Sequence, residues 1–291
     1  MELKGLYVGH QTLIDKHTGI TVFFFDHRAT CNFFSCGSSP ATSKLEYLRH
    51  SRHGKIDALV FSGGSAYGLG AVNGVMEWLR ERDLGYHPVP HLSVPIVPAA
   101  CIFDLSANTF HYPRYEDAYV ACSEATADNL AQGRIGAGCG ATVGKWYNPN
   151  HRILGGLGCA TLRHQSGLVV RSYAVVNSVG NVVDLQGNIV AGDKKTPRDL
   201  QMLPDPENQR EDVNTTLVAV FTNAMLTREE LLVVSRMSAA GIARAIDPAY
   251  TPYDGDIVFA VSLGQVKASA FLTGWLASEV TRQAIINAVA K

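Results

Sequence analysis

Asn214, Thr215 and Thr216 stand at the mouth of an apolar run, Leu217-Val218-Ala219-Val220-Phe221, where a hydroxyl can act on its own chain. If the Thr215 hydroxyl attacks the Asn214 carbonyl, the peptide bond is exchanged for an ester. Hydrolysis of that ester leaves Thr215 as a new N-terminus. Its α-amine, with a reference pKa of about 7.7–8.0, then lies beside the hydroxyl as a built-in general base. Two plainer readings compete. Asn214-Thr215-Thr216 also fits the N-glycosylation pattern, which requires a secretory route, and β-branched residues favour the start of a strand without any chemistry.

Four more positions suit the same reaction, each with an ordinary alternative. Lys145 closes the glycine-rich stretch 136–144 and is either a solvated lysine at a strand end or an amine beside the site. Asn177 ends an apolar run and is either a turn former or a neutral donor to an oxyanion. Asp254-Gly255-Asp256 precedes a further apolar run. Such triplets are ordinarily turns, but carboxylates two residues apart share one side of a strand that has already begun. The turn Gly63-Gly64-Ser65-Ala66-Tyr67-Gly68-Leu69-Gly70 fits neither G-x-G-x-x-G nor G-x-x-x-x-G-K-[ST], so no nucleotide site is expected. Its backbone N–H groups at a helix start suit a developing negative charge instead.

These side chains need elements to position them. Strands are expected at 5–10, 19–25, 55–62, 214–223 and 257–261, with a hairpin from 153–163 and 168–176 around His164-Gln165-Ser166-Gly167. Helices are expected up to about Arg82, from Glu116 to Gln132 with Gly133 as its C-cap, and from about Ala268 to Ala290. Thr227-Arg228-Glu229-Glu230 reads as a capping box opening another. Glycines crowded into 136–144 weaken a strand and mark a place where another backbone or a ligand comes close. A polar connector, about 191–213, leads into the threonine strand. Strands and helices alternate too irregularly for a doubly wound parallel sheet, so an α+β layered domain spanning 1–291 is expected.

The chain has 291 residues, 46% of them apolar and 18% charged, and so can bury a substantial core. A net charge of -1 offers no attraction for nucleic acid or an acidic membrane surface. The N-terminus lacks a basic segment followed by an apolar one, and no run approaches the roughly 20 apolar residues that span a bilayer. The reading is a cytoplasmic protein. Six cysteines without a C-x-x-C pair are expected as buried free thiols, and ten histidines without H-E-x-x-H give no metal site. No cofactor is expected.

Five stretches occur in one order: Gly5-x-x-Val8-Gly9-His10, Ser62-Gly63-Gly64-Ser65-Ala66-Tyr67-Gly68-Leu69, Val94-Pro95-Ile96-Val97-Pro98-Ala99-Ala100, Gly136-Ala137-Gly138-x-Gly140-Ala141-Thr142-Val143-Gly144-Lys145 and Asp254-Gly255-Asp256. In this the chain resembles the self-processing aminopeptidases, which include L-aminopeptidase/D-esterase and the β-aminopeptidases. It looks most similar to their endo-type nylon-oligomer hydrolase branch, which also presents Asn-Thr-Thr. The resemblance implies an αββα sandwich like that of N-terminal nucleophile hydrolases. It also implies cleavage between Asn214 and Thr215 into 1–214 and 215–291, and a homotetramer acting on a peptide or small-molecule amide. Thr215 matches the nucleophile, and Lys145, Asn177, Asp254 and Asp256 match the positions around it. On physical grounds Lys145 would lower the amine's proton affinity, the aspartates would orient it, and Asn177 would serve the oxyanion, with Tyr67 and the glycine-rich backbone as weaker candidates. Relatives tend to carry Asp-x-Arg-Gly-Gly where this chain has 32–39, a change expected to bear on the substrate. Two other functions stay open: acyl transfer to an amine, as in the similar ornithine acetyltransferases, and an uncleaved binding protein.

Overall fold

The computed structural model describes residues 3–106, 110–197, 201 and 214–290. Its backbone is one large sheet folded onto itself through the long strand Thr18–Ser35. The first half of that strand pairs with Leu6–Leu13 and Lys55–Ser62, while its last residues, from Thr30 to Ser35, pair with Ile257–Val266. The register with Lys55–Ser62 shifts between Phe24 and Ala29. Such an irregularity bends a strand and strengthens its twist, which lets one sheet supply two facing layers.

Alternation along the strands confirms two buried faces on each layer. In Thr215–Ala224, Leu217, Ala219 and Phe221 enter the core between the β layers, whereas Val218 and Val220 face the helices Arg228–Ala243 and Ala270–Val289. In Lys55–Ser62, Leu59 and Phe61 enter the same inner core, and Ala58 and Val60 face the helices Val72–Arg80 and Tyr115–Ser123. Phe23 packs on Tyr173 and Phe221 across the layers, with ring centroids 5.1 and 5.0 Å apart. The result is the expected α+β arrangement, helices outside two β layers, with a continuous strand joining those layers.

Several local expectations hold, the capping box to the residue. Thr227 Oγ1 accepts Glu230 N–H at 3.2 Å and Glu230 Oε2 accepts Thr227 N–H at 2.8 Å, completing the capping box. The hairpin forms from Gly156–Arg163 and Val169–Asn177. All six cysteines are free, five of them buried.

Two expectations are corrected. The helix expected from Glu116 to Gln132 runs only over Tyr115–Ser123. Thr126 and Ala127 pair with the N-terminal strand instead, and Asp128 takes a left-handed conformation that no helix continues. The glycine-rich stretch is a 3₁₀ turn at Gly136–Gly138 followed by the two-residue strand Thr142–Val143. Its glycines admit close backbones. A Cβ on Gly140 would lie 1.9 Å from the His17 carbonyl oxygen, and one on Gly138 would lie 2.2 Å from the Leu157 nitrogen. The connector's residues 198–200 and 202–213 lie outside the described residues. Among the described residues, no helix is long and apolar enough to cross a membrane.

Candidate active site

Thr215 opens its strand at a point where three strands end together. The antiparallel neighbour Val169–Asn177 places Asn177 directly opposite Thr215. On the other side the parallel neighbour Ile257–Val266 is preceded by Asp254-Gly255-Asp256, and Asp254 bridges Asn214. Strand register therefore assembles Asn177, Asn214, Thr215 and Asp254, and Lys145 joins them through its hydrogen bonds to Asn177. Thr215, Asn214, Asn177, Asp254 and Asp256 are all buried, and Lys145 is half-buried.

The Thr215 hydroxyl donates to the carbonyl oxygen of Asn214, the group it would have to attack. That same oxygen accepts the Gly255 N–H at 2.9 Å. A backbone donor is thus already aimed at the atom that becomes negative when the carbonyl turns tetrahedral. Asp256 Oδ1 accepts Thr216 N–H at 2.6 Å, and its Oδ2 accepts Tyr250 N–H at 3.3 Å. Asp254 Oδ1 accepts Val179 N–H at 3.1 Å, and its Oδ2 accepts the Thr251 hydroxyl. The Asp256 carboxylate thus holds the residue after the threonine, while that of Asp254 is tied to Val179 and Thr251.

Lys145 Nζ donates to the Asn177 carbonyl at 3.1 Å and to Asn177 Oδ1 at 3.0 Å. Burial pulls the lysine down to about 7, with Asp254 opposing this and Arg152 reinforcing it. A neutral amine has two N–H bonds and one lone pair. With both N–H bonds directed at Asn177, the lone pair remains to take a proton. Burial, and then the nearby Asp254 charge, push Asp256 up to about 7. Asp254 is also raised by burial, although Thr251, the Val179 N–H and Lys145 favour its charged form.

Asn177 has a different immediate task from the one expected. Its Oδ1 also accepts Thr142 N–H at 3.0 Å and its amide nitrogen donates to the Phe103 carbonyl at 3.2 Å. It holds Lys145 and ties three segments together. Tyr67 is the candidate that the structure does not bring to the group. It is 56% exposed and packs on Phe110 and Tyr112, and no hydrogen bond joins it to the others among the described residues. The Gly255 N–H escapes a search by side chain, although the triplet that contains it was legible. Segment 32–39 lies behind the aspartates. Cys36 and Gly37 N–H groups donate to the Asp256 carbonyl at 2.8 and 3.0 Å, and Ser38 N–H donates to that of Asp254 at 2.8 Å.

The chain is a hydrolase of peptide or amide bonds, in a fold like that of the N-terminal nucleophile hydrolases. The sequence profile of peptidase family S58 matches residues 1–291, and the chain belongs to that family. It is 34% identical to an uncharacterised aminopeptidase of Mycobacterium leprae over 296 aligned residues, covering 92% of this chain and 79% of that one. It is 30% identical to the 6-aminohexanoate-oligomer endohydrolase of Paenarthrobacter ureafaciens, covering 99% and 84%. Among solved structures it superimposes on the β-aminopeptidase of a Burkholderia species with a TM-score of 0.76 at 18% identity, covering 98% and 84%. The L-aminopeptidase D-Ala-esterase/amidase of Ochrobactrum anthropi, described as a variant of the Ntn hydrolase fold, gives 0.73 at 17% identity, again covering 98% and 84%.

Proposed function

We propose that the chain cuts itself between Asn214 and Thr215 and then uses Thr215 as an N-terminal nucleophile on amide substrates. The observation that carries this reading is the Asn214 carbonyl oxygen, contacted by the Thr215 hydroxyl and by the Gly255 N–H at 2.9 Å. In the first step the hydroxyl proton passes to a base, for which neutral Lys145 is the candidate, as Thr215 Oγ1 adds to the Asn214 carbonyl carbon. The C–N bond then breaks, its nitrogen takes a proton and becomes the Thr215 amine, and an ester remains. Water hydrolyses the ester, freeing the Asn214 carboxylate and the fragment 215–291.

In the cut protein the Thr215 amine takes the proton from its own hydroxyl as that hydroxyl attacks a substrate amide. Asp256, bonded to the next backbone N–H, and Asp254 beside it orient that amine. Lys145 disfavours the ammonium form when it is itself charged. The acyl-enzyme ester is hydrolysed by water, and no metal or cofactor enters these steps. The names of the relatives support aminopeptidase or endo-amidase action, on a peptide or on an oligomer of an amino acid. A hydrolase, not the acyltransferase alternative, is the reading that the family supports.

The test is the intact mass of the purified chain under denaturing conditions, beside Thr215→Ala. Two fragments meeting between 214 and 215, with the variant uncut, are expected. A wild-type chain that stays whole, or a variant that is cut at the same place, would overturn the mechanism.

A further inference from the structure

A cavity of about 370 Å³ lies on the Lys145 side of the site. Phe103, Thr142 and Lys145, three residues held by Asn177, contribute to its wall, so it borders the residue directly opposite Thr215. Basic side chains outnumber acidic ones in its wall. Lys145, Arg134 and Arg152 line it, with His17 at the edge. The Arg134 guanidinium donates to the Cys139 carbonyl at 3.2 Å and lies 3.2 Å from His17 Nδ1, while Arg152 is exposed. Neither arginine forms an ion pair among the described residues. The acid in the wall is Asp104, whose Oδ1 accepts the Gly64 N–H at 2.7 Å and whose Oδ2 is buried.

Two arginines at one concave space, neither ion-paired among the described residues, leave positive charge there that an entering anion would offset. Arginine suits such an anion, because its planar fork meets both oxygens of a carboxylate. We infer that this cavity is a carboxylate subsite, and that the amide substrates of this enzyme carry a free carboxylate that Arg152 and Arg134 receive while the amide lies at Thr215. This rests on the Thr215 hydrolase reading and names the substrate class for it. Short oligomers and dipeptides with a free acid end have the required chemistry, as do monoamides of dicarboxylic acids.

The test uses the cut enzyme and two matched substrate pairs. One pair is glutaryl p-nitroanilide and the same molecule with its carboxylate converted to a primary amide. The other is Ala-Ala and Ala-Ala amide. The pairs place the carboxylate on the acyl side and on the leaving side. In at least one pair the acid should be preferred by about tenfold or more in kcat/KM, chiefly through KM, as charge-assisted hydrogen bonds imply. Arg152→Gln, and separately Arg134→Gln, should shrink that ratio. The ratio is the readout because losing Arg152 also raises the proton affinity of Lys145, which affects both members alike. Equal rates within both pairs, or a preference that survives both variants, would overturn the inference while leaving the hydrolase reading intact. If the chain stays uncut and hydrolyses neither member, the hydrolase reading fails separately. Calorimetric titration with the monoamide of glutarate then decides the subsite. Saturable binding weakened in Arg152→Gln supports it, and no saturable binding overturns it.

Discussion

Gly37→Ala is the smallest change expected to reach the reaction from outside it. A methyl group there would lie 2.2 Å from the Asp254 carbonyl oxygen and 2.4 Å from the Asp256 nitrogen. Gly37 is not among the glycines with positive φ, so alanine adds no backbone strain and the effect is steric. To restore ordinary contact, the loop carrying both aspartates and Gly255 must retreat by about 1 Å, a misplacement that costs on the order of 10²-fold in rate. Overpacking adds about 1–3 kcal/mol of destabilisation. The retreat also pulls the Gly255 N–H away from the Asn214 oxygen, so self-cleavage and turnover should both slow. The assay follows the cut fraction against time by intact mass, and then amide hydrolysis by the cut material. Gly70→Ala is the control, because a methyl group there meets nothing within 4 Å. A Gly37→Ala chain that is cut and turns over at the wild-type rate would refute the loop's assigned part.

Three further outcomes are expected. With Lys145 at about 7, self-cleavage that depends on its neutral form should rise about tenfold from pH 6 to 8 and then level off; Arg152→Gln removes a neighbouring positive charge, so it should move the midpoint upward, and a rate still climbing at pH 10 would show an ordinary lysine. Asp104→Asn keeps the oxygen that accepts the Gly64 N–H and removes a carboxyl that burial raises to about 6. Because the folded value exceeds the unfolded one, the cost of the charged form is full above about pH 6 and vanishes as pH falls to about 4. The variant should therefore be more stable than the wild type at pH 8, by about 3 kcal/mol, with the gap closing in acid, as thermal melts across pH would show. Asn177→Ala strips Lys145 of its side-chain acceptor and leaves the Thr142 N–H unpaired, so self-cleavage should fail and stability drop by about 1–3 kcal/mol in denaturant melts.

Local signals were legible wherever one segment decides its own state. The capping box at Thr227 and Glu230 closes within four residues, and the hairpin strands announce themselves by β-branched runs and a polar turn. The helix at Tyr115 stops short of the end its periodicity suggests because the residues after it pair with a strand more than a hundred residues earlier. Tyr67 sits among glycines that suit an oxyanion, yet its ring packs against Phe110 and Tyr112, which come from a different stretch.

By itself the sequence determined the chemistry available: a threonine after an asparagine at the mouth of a core strand, a lysine closing a glycine-rich stretch, and two aspartates before another strand. It also determined the layered α+β class, because burying each strand on two faces requires apolar side chains at successive positions. Only the tertiary structure decided which of these groups meet. Strand register puts Asn177 opposite Thr215 and Asp254 beside Asn214, and burial lowers Lys145 and raises Asp256. A pairing between distant strands and the desolvation of a charge are properties of the packed chain, and no local window of residues carries them.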